Sequence, residues 1–250
     1  MAIRGILFDK DGTVVDYWKT WVPINREVAL FAAGGDAKLA AELLRHGGHD
    51  PETDRITPGT ALAAGSVDDI ANAFAAHLKD RAPPDLAAGI EGIFRHGGAR
   101  HSALIAGARE TIAELKARGF HIGLATNDSM GGLEASLAAH EILPLFDFTV
   151  GCDSGFGTKP ARGMVHAFCN AVGVARSEVA MVGDAVHDLA MGRAAGVALN
   201  VGVLSGTSGP EDFEGLADMI LDSINDLPAR PEFREPGRRP SIWSRIRRRS

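Results

Sequence analysis

From about residue 106 the chain alternates between short apolar runs and segments of helical spacing, and this alternation constrains its fold more than any other feature. Strands are predicted over 121–125, 148–150, 179–182 and 197–201, with helices over 108–118, about 132–140 and about 161–172. Gly119, Gly173 and Gly196 supply helix stops. Strands that alternate with helices pair in parallel, because each crossover returns the chain to the same end of the sheet. An earlier run, Ile3-Arg4-Gly5-Ile6-Leu7-Phe8, has the same buried-strand character and ends abruptly in Asp9-Lys10-Asp11-Gly12-Thr13. The predicted fold class is therefore α/β, a doubly wound parallel sheet with helices on both faces.

The long stretch between the first strand and this alternation reads differently. Val67, Ile70, Ala71, Phe74, Ala75 and Leu78 share one helical face, and Leu39, Ala40, Leu43 and Leu44 suggest another. Gly47-Gly48 and Gly97-Gly98 are read as helix stops, and Pro83-Pro84 as a break. The expected organisation is a catalytic core over 1–16 and 105–228, a helical domain over 17–104 inserted after the first strand, and a basic, disordered tail over 229–250.

Charge is unevenly spread. The chain has 250 residues and a formal net charge of -6, yet residues 230–250 hold eight arginines against two glutamates, a surplus of +6. Positions 1–229 keep 18 basic and 30 acidic residues, a net of -12. An acidic body argues against general nucleic-acid binding. The tail, with Ile242, Trp243 and Ile246 among its arginines, invites weak contact with an anionic surface. No apolar run approaches the ~20 residues of a membrane helix. Two cysteines, Cys152 and Cys169, make no disulfide framework, so free thiols and a cytoplasmic setting are expected.

Three predicted strands end in reactive polar groups: Asp9 and Asp11, Thr126 and Asn127, and Asp184. In an open parallel sheet the crevice beyond the carboxyl ends of the strands is where ligands bind, so these groups can converge. Asp9 and Asp11, two apart on extended backbone, project to one side, where mutual repulsion suits a division of labour between nucleophile or metal ligand and proton donor. Gly12 permits a tight turn that the Thr13 hydroxyl can close. Asp184 and Asp188 form a second pair at a helix start. Four converging carboxylates call for a hard divalent cation, and Mg2+ suits oxygen ligands together with substrate phosphate. Lys159 would offset part of the charge and bind phosphate as a point charge.

Together these pieces resemble the haloacid dehalogenase-like superfamily. Asp9-Lys10-Asp11-Gly12-Thr13 matches its DxDGT motif, Thr126 its strand-end Thr or Ser, Lys159 before Pro160 its lysine, and Gly183-Asp184 with Asp188 its GDxxxD. The resemblance spans about residues 3–225 and implies a Rossmann-like core. It implies that Asp9 is a nucleophile forming an aspartyl-phosphate and Asp11 the general acid and base. By the same resemblance Thr126, the Asn127 amide and Lys159 bind the phosphoryl group. Mg2+ would be held by Asp9, the Asp11 carbonyl and Asp184, with Asp188 ordering metal-bound water. Asp11 favours phosphatases or phosphomutases over dehalogenases, and an insertion after the first motif resembles the helical-cap branch of phosphoglycolate phosphatase-like enzymes.

The expected activity is Mg2+-dependent hydrolysis of a small phosphorylated metabolite. The alternatives are a phosphosugar mutase of the same family and a non-catalytic binding protein on the same fold. Within the insertion, Tyr17, Trp18 and Trp21 follow the nucleophile turn and could line the entrance to the site, but are expected chiefly to pack the helical core. Arg26, Arg45 and Arg55 are weak candidates for substrate contact, with solvated surface the default. His46 and His49 lie beside glycines without a third ligand and are read as loop residues.

Overall fold

The computed structural model describes residues 2–237. Six parallel strands form one sheet in the order β3-β2-β1-β4-β5-β6. They are β1 (Gly5–Asp9), β2 (His121–Ala125), β3 (Phe148–Val150), β4 (Val179–Gly183), β5 (Leu199–Val203) and β6 (Met219–Leu221). The predicted strand at 197–201 begins two residues later, because Gly196 closes the preceding helix in a left-handed conformation and Val197 still bonds back to it. β6 lacks a long apolar run; it is a three-residue edge strand paired only to β5.

The sheet is covered on both faces, and the strand sequences show why. Successive side chains alternate across a strand. Ile6 and Phe8 of β1, Ile122 and Leu124 of β2, and Ala180 and Val182 of β4 face one apolar layer, where α6 (Ala108–Ala117) and α7 (Met130–Leu137) contribute Ile112, Leu115, Leu133 and Leu137. Leu7, Val179 and Met181 face the other, against Met164 and Phe168 of α8 (Gly163–Val172) and Met191 of α9 (Val186–Ala195). Full burial of each such side chain contributes about 1.5–3 kcal/mol, which anchors the strand ends from which the site is built.

Between β1 and α6 the chain makes α1 (Tyr17–Ala32), α2 (Ala37–His46), the short α3 (Ala61–Ala64), α4 (Val67–Leu78) and α5 (Leu86–His101). Asp16 caps α1 by accepting from the Lys19 amide at 3.1 Å, and Ser66 and Asp69 form a reciprocal capping box on α4. These helices bury a cluster of their own around Ile24, Val28, Leu43, Phe74 and Ile90. The two connections to the sheet run side by side. The Asp16 amide donates to Ala103 at 2.8 Å and the Ile105 amide to Val14 at 3.0 Å.

Two expectations are corrected. Gly97 and Gly98 do not stop a helix; both are buried inside α5. A Cβ on Gly97 would come within 2.7 Å of Ile24, and Gly98 faces Ser136 of α7, so the glycines permit close helix approach. The segment from 229 is also not uniformly a disordered tail. Pro231–Phe233 form a short turn of helix, Phe233 is fully buried beside Phe120, and the Gly237 amide bonds Ile3 at 2.8 Å. The physical reason is one large aromatic ring among the arginines, with Arg118 bonding the Phe233 carbonyl. Phe233→Ala should cost about 3–5 kcal/mol, read by denaturant unfolding; a change under 1 kcal/mol would show that this packing is incidental. The proposed surface-contact residues Ile242, Trp243 and Ile246 lie outside the described residues.

Candidate active site

Strand order reverses between β1 and β4, so the crevice opens where their carboxyl ends diverge. Asp9 is the last residue of β1, Asp184 follows the last residue of β4, and Thr126 and Asn127 follow β2. The chain turns after Asp9 by hydrogen bonds from the Val14 and Val15 amides to the Lys10 carbonyl. Gly12 sits at φ 80°, and a Cβ there would approach the Asp184 carboxyl carbon to 2.5 Å. Only glycine lets this turn and Asp184 share the crevice. The Thr13 hydroxyl does not close the turn as expected; it is buried without a partner among the described residues, and backbone bonds close the turn instead.

Asp9, Lys159, Asp184 and Asp188 come together. Lys159 Nζ donates to Asp9 Oδ1 and, at 2.7 Å, to Asp188 Oδ1. Asp188 Oδ2 accepts from the Ala185 amide at 3.1 Å, and Asp184 Oδ2 from the Thr207 amide at 3.0 Å. Asp9 Oδ2 is buried with no hydrogen-bond partner among the described residues. Burial pushes the Asp9 carboxyl up to about 7, with the charge of Asp188 adding to the rise and Lys159 opposing it. Asp184 is raised by burial and then by Asp9 and Asp188. Burial would also raise Asp188, but Lys159 and His187 outweigh it and hold the carboxyl low.

One carboxylate oxygen each from Asp9, Asp184 and Asp188 lies within 4.8 Å of the others, a set of hard donors suited to a cation. The carboxyls of Asp9 and Asp184, both raised by burial and by neighbouring carboxylates, fit this reading. Asp188 has both oxygens committed to other donors, and the Asp11 carboxylate is outside the group.

Asp11 belongs instead to a second polar cluster. Its Oδ1 accepts from Trp21 Nε1 at 2.6 Å, and its Oδ2 is 3.2 Å from Lys10 Nζ. Burial raises its carboxyl, and Lys10 opposes the rise. Lys10 is wholly buried, donating to Asp128 at 2.7 Å and to Ser136 at 3.3 Å, with its ammonium 5.4 Å from the Trp21 ring centroid. Sequence reasoning missed Lys10 and Asp128, and of Trp21 it offered the cavity entrance but not the bond to Asp11. The available signal was a charge between two carboxylates at a strand end, where alternation sends it away from the crevice and demands a buried partner.

The Thr126 hydroxyl accepts from the Asp128 amide at 3.0 Å. Asn127 acts through its side chain on the lysine loop, accepting from the Lys159 amide at 2.8 Å and donating to its carbonyl at 3.4 Å. A cavity of about 470 Å³ lies over these groups, walled on the sheet side by Asp9, Asp11, Thr126 and Asp184. Tyr17 and Trp21 of α1 and Glu91 and Phe94 of α5 wall the other side. Trp18 is exposed. Arg26 pairs with Asp54 at 2.6 Å and Arg45 with Glu52 at 2.9 Å, while Arg55 is absent from the cavity wall. His49 is buried against Asp54, whereas His46 is not a loop residue but the last residue of α2, its ring 5.0 Å from that of His77 and tilted by 42°.

The family described as haloacid dehalogenase-like hydrolase matches residues 3–196. The phosphoglycolate phosphatase of Escherichia coli (strain K12) is 28% identical over 245 residues, covering 90% of this chain and 91% of that protein. Among solved structures, CbbY from Rhodobacter sphaeroides in complex with phosphate superposes with a TM-score of 0.67 at 26% identity, covering 90% of this chain and 96% of that one. A predicted phosphoglycolate phosphatase from Haemophilus somnus 129pt shares the fold with a TM-score of 0.72 at 21% identity, over 90% of this chain and 96% of that one.

Proposed function

The chain belongs to the haloacid dehalogenase-like hydrolases and is a phosphatase of that family; we propose that it hydrolyses a small phosphate monoester through an aspartyl-phosphate on Asp9. The observation that carries this reading is the state of the Asp9 carboxylate. Lys159 holds one oxygen, and the other is buried and unpartnered on a residue that walls the cavity. Attack by that oxygen on phosphorus forms the phosphoryl bond and breaks the ester bond, and the departing alkoxide takes a proton from Asp11. Burial of Asp11 favours the protonated form this step needs. Asp11 then accepts a proton from the water that hydrolyses the intermediate and regenerates Asp9. Lys159 restrains charge on Asp9, and Thr126 with the Asn127 amide would receive phosphoryl oxygens at the end of β2.

Asp9 and Asp184 would hold Mg2+, with Asp188 steadied by Lys159 behind them. When bound, the ion supplies positive charge beside the phosphoryl oxygens, where phosphate-ester chemistry most needs it. The helices over 17–104 would act as a cap, excluding water from the cavity. Purified protein should hydrolyse an aryl phosphate with Mg2+ and stop on addition of chelator. Sustained turnover in chelator would overturn the metal-dependent part of the reading.

The cation site also predicts a pH dependence of stability. Unfolded, the Asp9 carboxyl loses its proton near 3.8; folded without metal, it does so near 7. Between these values the folded state holds the extra proton, so this group makes stability fall as pH rises. The ionised Asp9 carboxylate would hold Mg2+ in place of that proton. The rise in Tm on adding Mg2+ should therefore be larger at pH 8 than at pH 5.5, with a stabilisation of about 2.7 kcal/mol at a concentration 100 times Kd. Equal gains at both pH values would remove Asp9 from the cation site.

A further inference from the structure

The cavity wall is chemically one-sided. Among the described residues no lysine or arginine lines it, although seven carboxylates do. Both nearby lysines are committed. Lys159 holds Asp9 and Asp188, and Lys10 holds Asp11 and Asp128. His187 faces the cavity, but its Nε2 lies 3.5 Å from Asp188.

On the insertion side the acids are Glu91 of α5 and Asp68 of α4. The partner of Glu91 is a hydroxyl, Ser129 Oγ at 3.0 Å, rather than a cation. Around them the wall is aromatic, with Tyr17, Trp21 and Phe94, the last two ring to edge at 4.8 Å. At the far end Asp9 Oδ2, on a side chain 7% exposed, is unpartnered and marks where phosphorus must sit. The helices supply the other wall of the same cavity, so the remote end of an alcohol attached there would face Glu91, Asp68 and the rings. A carboxylate or second phosphate at that end would face like charge with no counterion, whereas an ammonium would gain an ion pair and a favourable ring environment.

We propose that the substrate is the phosphate monoester of a cation-bearing alcohol, an amino-alcohol phosphate, with its positive group held by Glu91, the exposed Asp68 adding negative charge to the same wall. This rests on the phosphatase reading above and adds to it a choice of substrate class. It runs against glycolate phosphate, whose remote group is a carboxylate, even though relatives carry that name.

The test compares kcat/KM of the full-length protein with Mg2+ for 2-aminoethyl phosphate, phosphocholine, glycerol phosphate and 2-phosphoglycolate, with an aryl phosphate as reference. Either cationic ester should exceed 2-phosphoglycolate by roughly ten- to a hundred-fold, the range of one charged hydrogen bond. Glu91→Gln should cut the ratio of 2-aminoethyl phosphate to 2-phosphoglycolate by about tenfold, and Glu91→Lys should invert it. Aryl phosphate turnover with 2-phosphoglycolate or glycerol phosphate matching or exceeding the cationic esters would overturn this inference and leave the phosphatase reading standing. A Glu91→Gln variant that slows all esters equally would also overturn it. Absence of turnover on every ester would sink both.

Discussion

Asp9→Asn should lower phosphate-ester turnover by at least about 10⁴-fold, since it removes the nucleophile itself. The fold should survive, because the amide occupies nearly the same volume and Lys159 keeps Asp188 as a partner at 2.7 Å. At pH 8 without metal the variant should even be more stable than the parent. The parent must keep a buried carboxylate ionised above its pKa of about 7, beside Asp188 and Asp184, whereas an amide carries no charge. Activity and stability would then move in opposite directions, as expected where a site is arranged for chemistry rather than for cohesion. Steady-state kinetics and chelator-treated unfolding curves measure the two. Activity within tenfold of the parent would refute the nucleophile assignment, and a large loss of stability would show that the network is described wrongly.

Lys159→Met carries the second large effect, and here both quantities should fall. The lysine side chain is fully buried and joins two carboxylates from different elements, Asp9 of β1 and Asp188 of α9. Removing one partner from a buried ion network leaves uncompensated charge and costs about 3–5 kcal/mol. The double variant Lys159→Met with Asp188→Asn should recover much of that stability, because it removes the stranded charge as well. It should not recover turnover, since nothing then restrains charge on Asp9 and the phosphoryl group. Recovery of both would mean that the lysine serves only to hold the fold. An unfolding midpoint unchanged in the single variant would show that solvent reaches the carboxylates.

The strands were legible because a parallel sheet buried on both faces leaves a strong local signature, and β1, β2 and β4 are short apolar runs cut off by polar residues. β6 was not legible, since its identity comes from pairing with β5 rather than from its own three residues. Gly97 and Gly98 misled for a related reason. Locally a glycine pair reads as a stop, but the spacing of α1, α5 and α7 gives it a different use. Phe233 was lost against an arginine-rich background, although a single buried ring is enough to pin a terminal segment.

Within the site, the residue types and their positions at strand ends could be read from the chain alone. That reading placed Asp9, Asp11, Thr126, Lys159, Asp184 and Asp188 as candidates, because motif residues sit at fixed offsets from elements whose formation is local. Which carboxylate meets which cation depended on side-chain direction and on the distance between elements far apart in sequence. Lys159 reaches Asp9 across 150 positions, and Lys10 reaches Asp128 across 118. The Trp21 bond to Asp11 and the acidic, aromatic cavity wall likewise arise only when the helical insertion folds over the sheet. Sequence by itself determined the chemistry at hand, a set of oxygens at the ends of parallel strands and a lysine in the loop beyond β3. Tertiary structure alone decided the pairing of those charges and the walls of the cavity, because Coulomb energy and burial act through space and not along the chain.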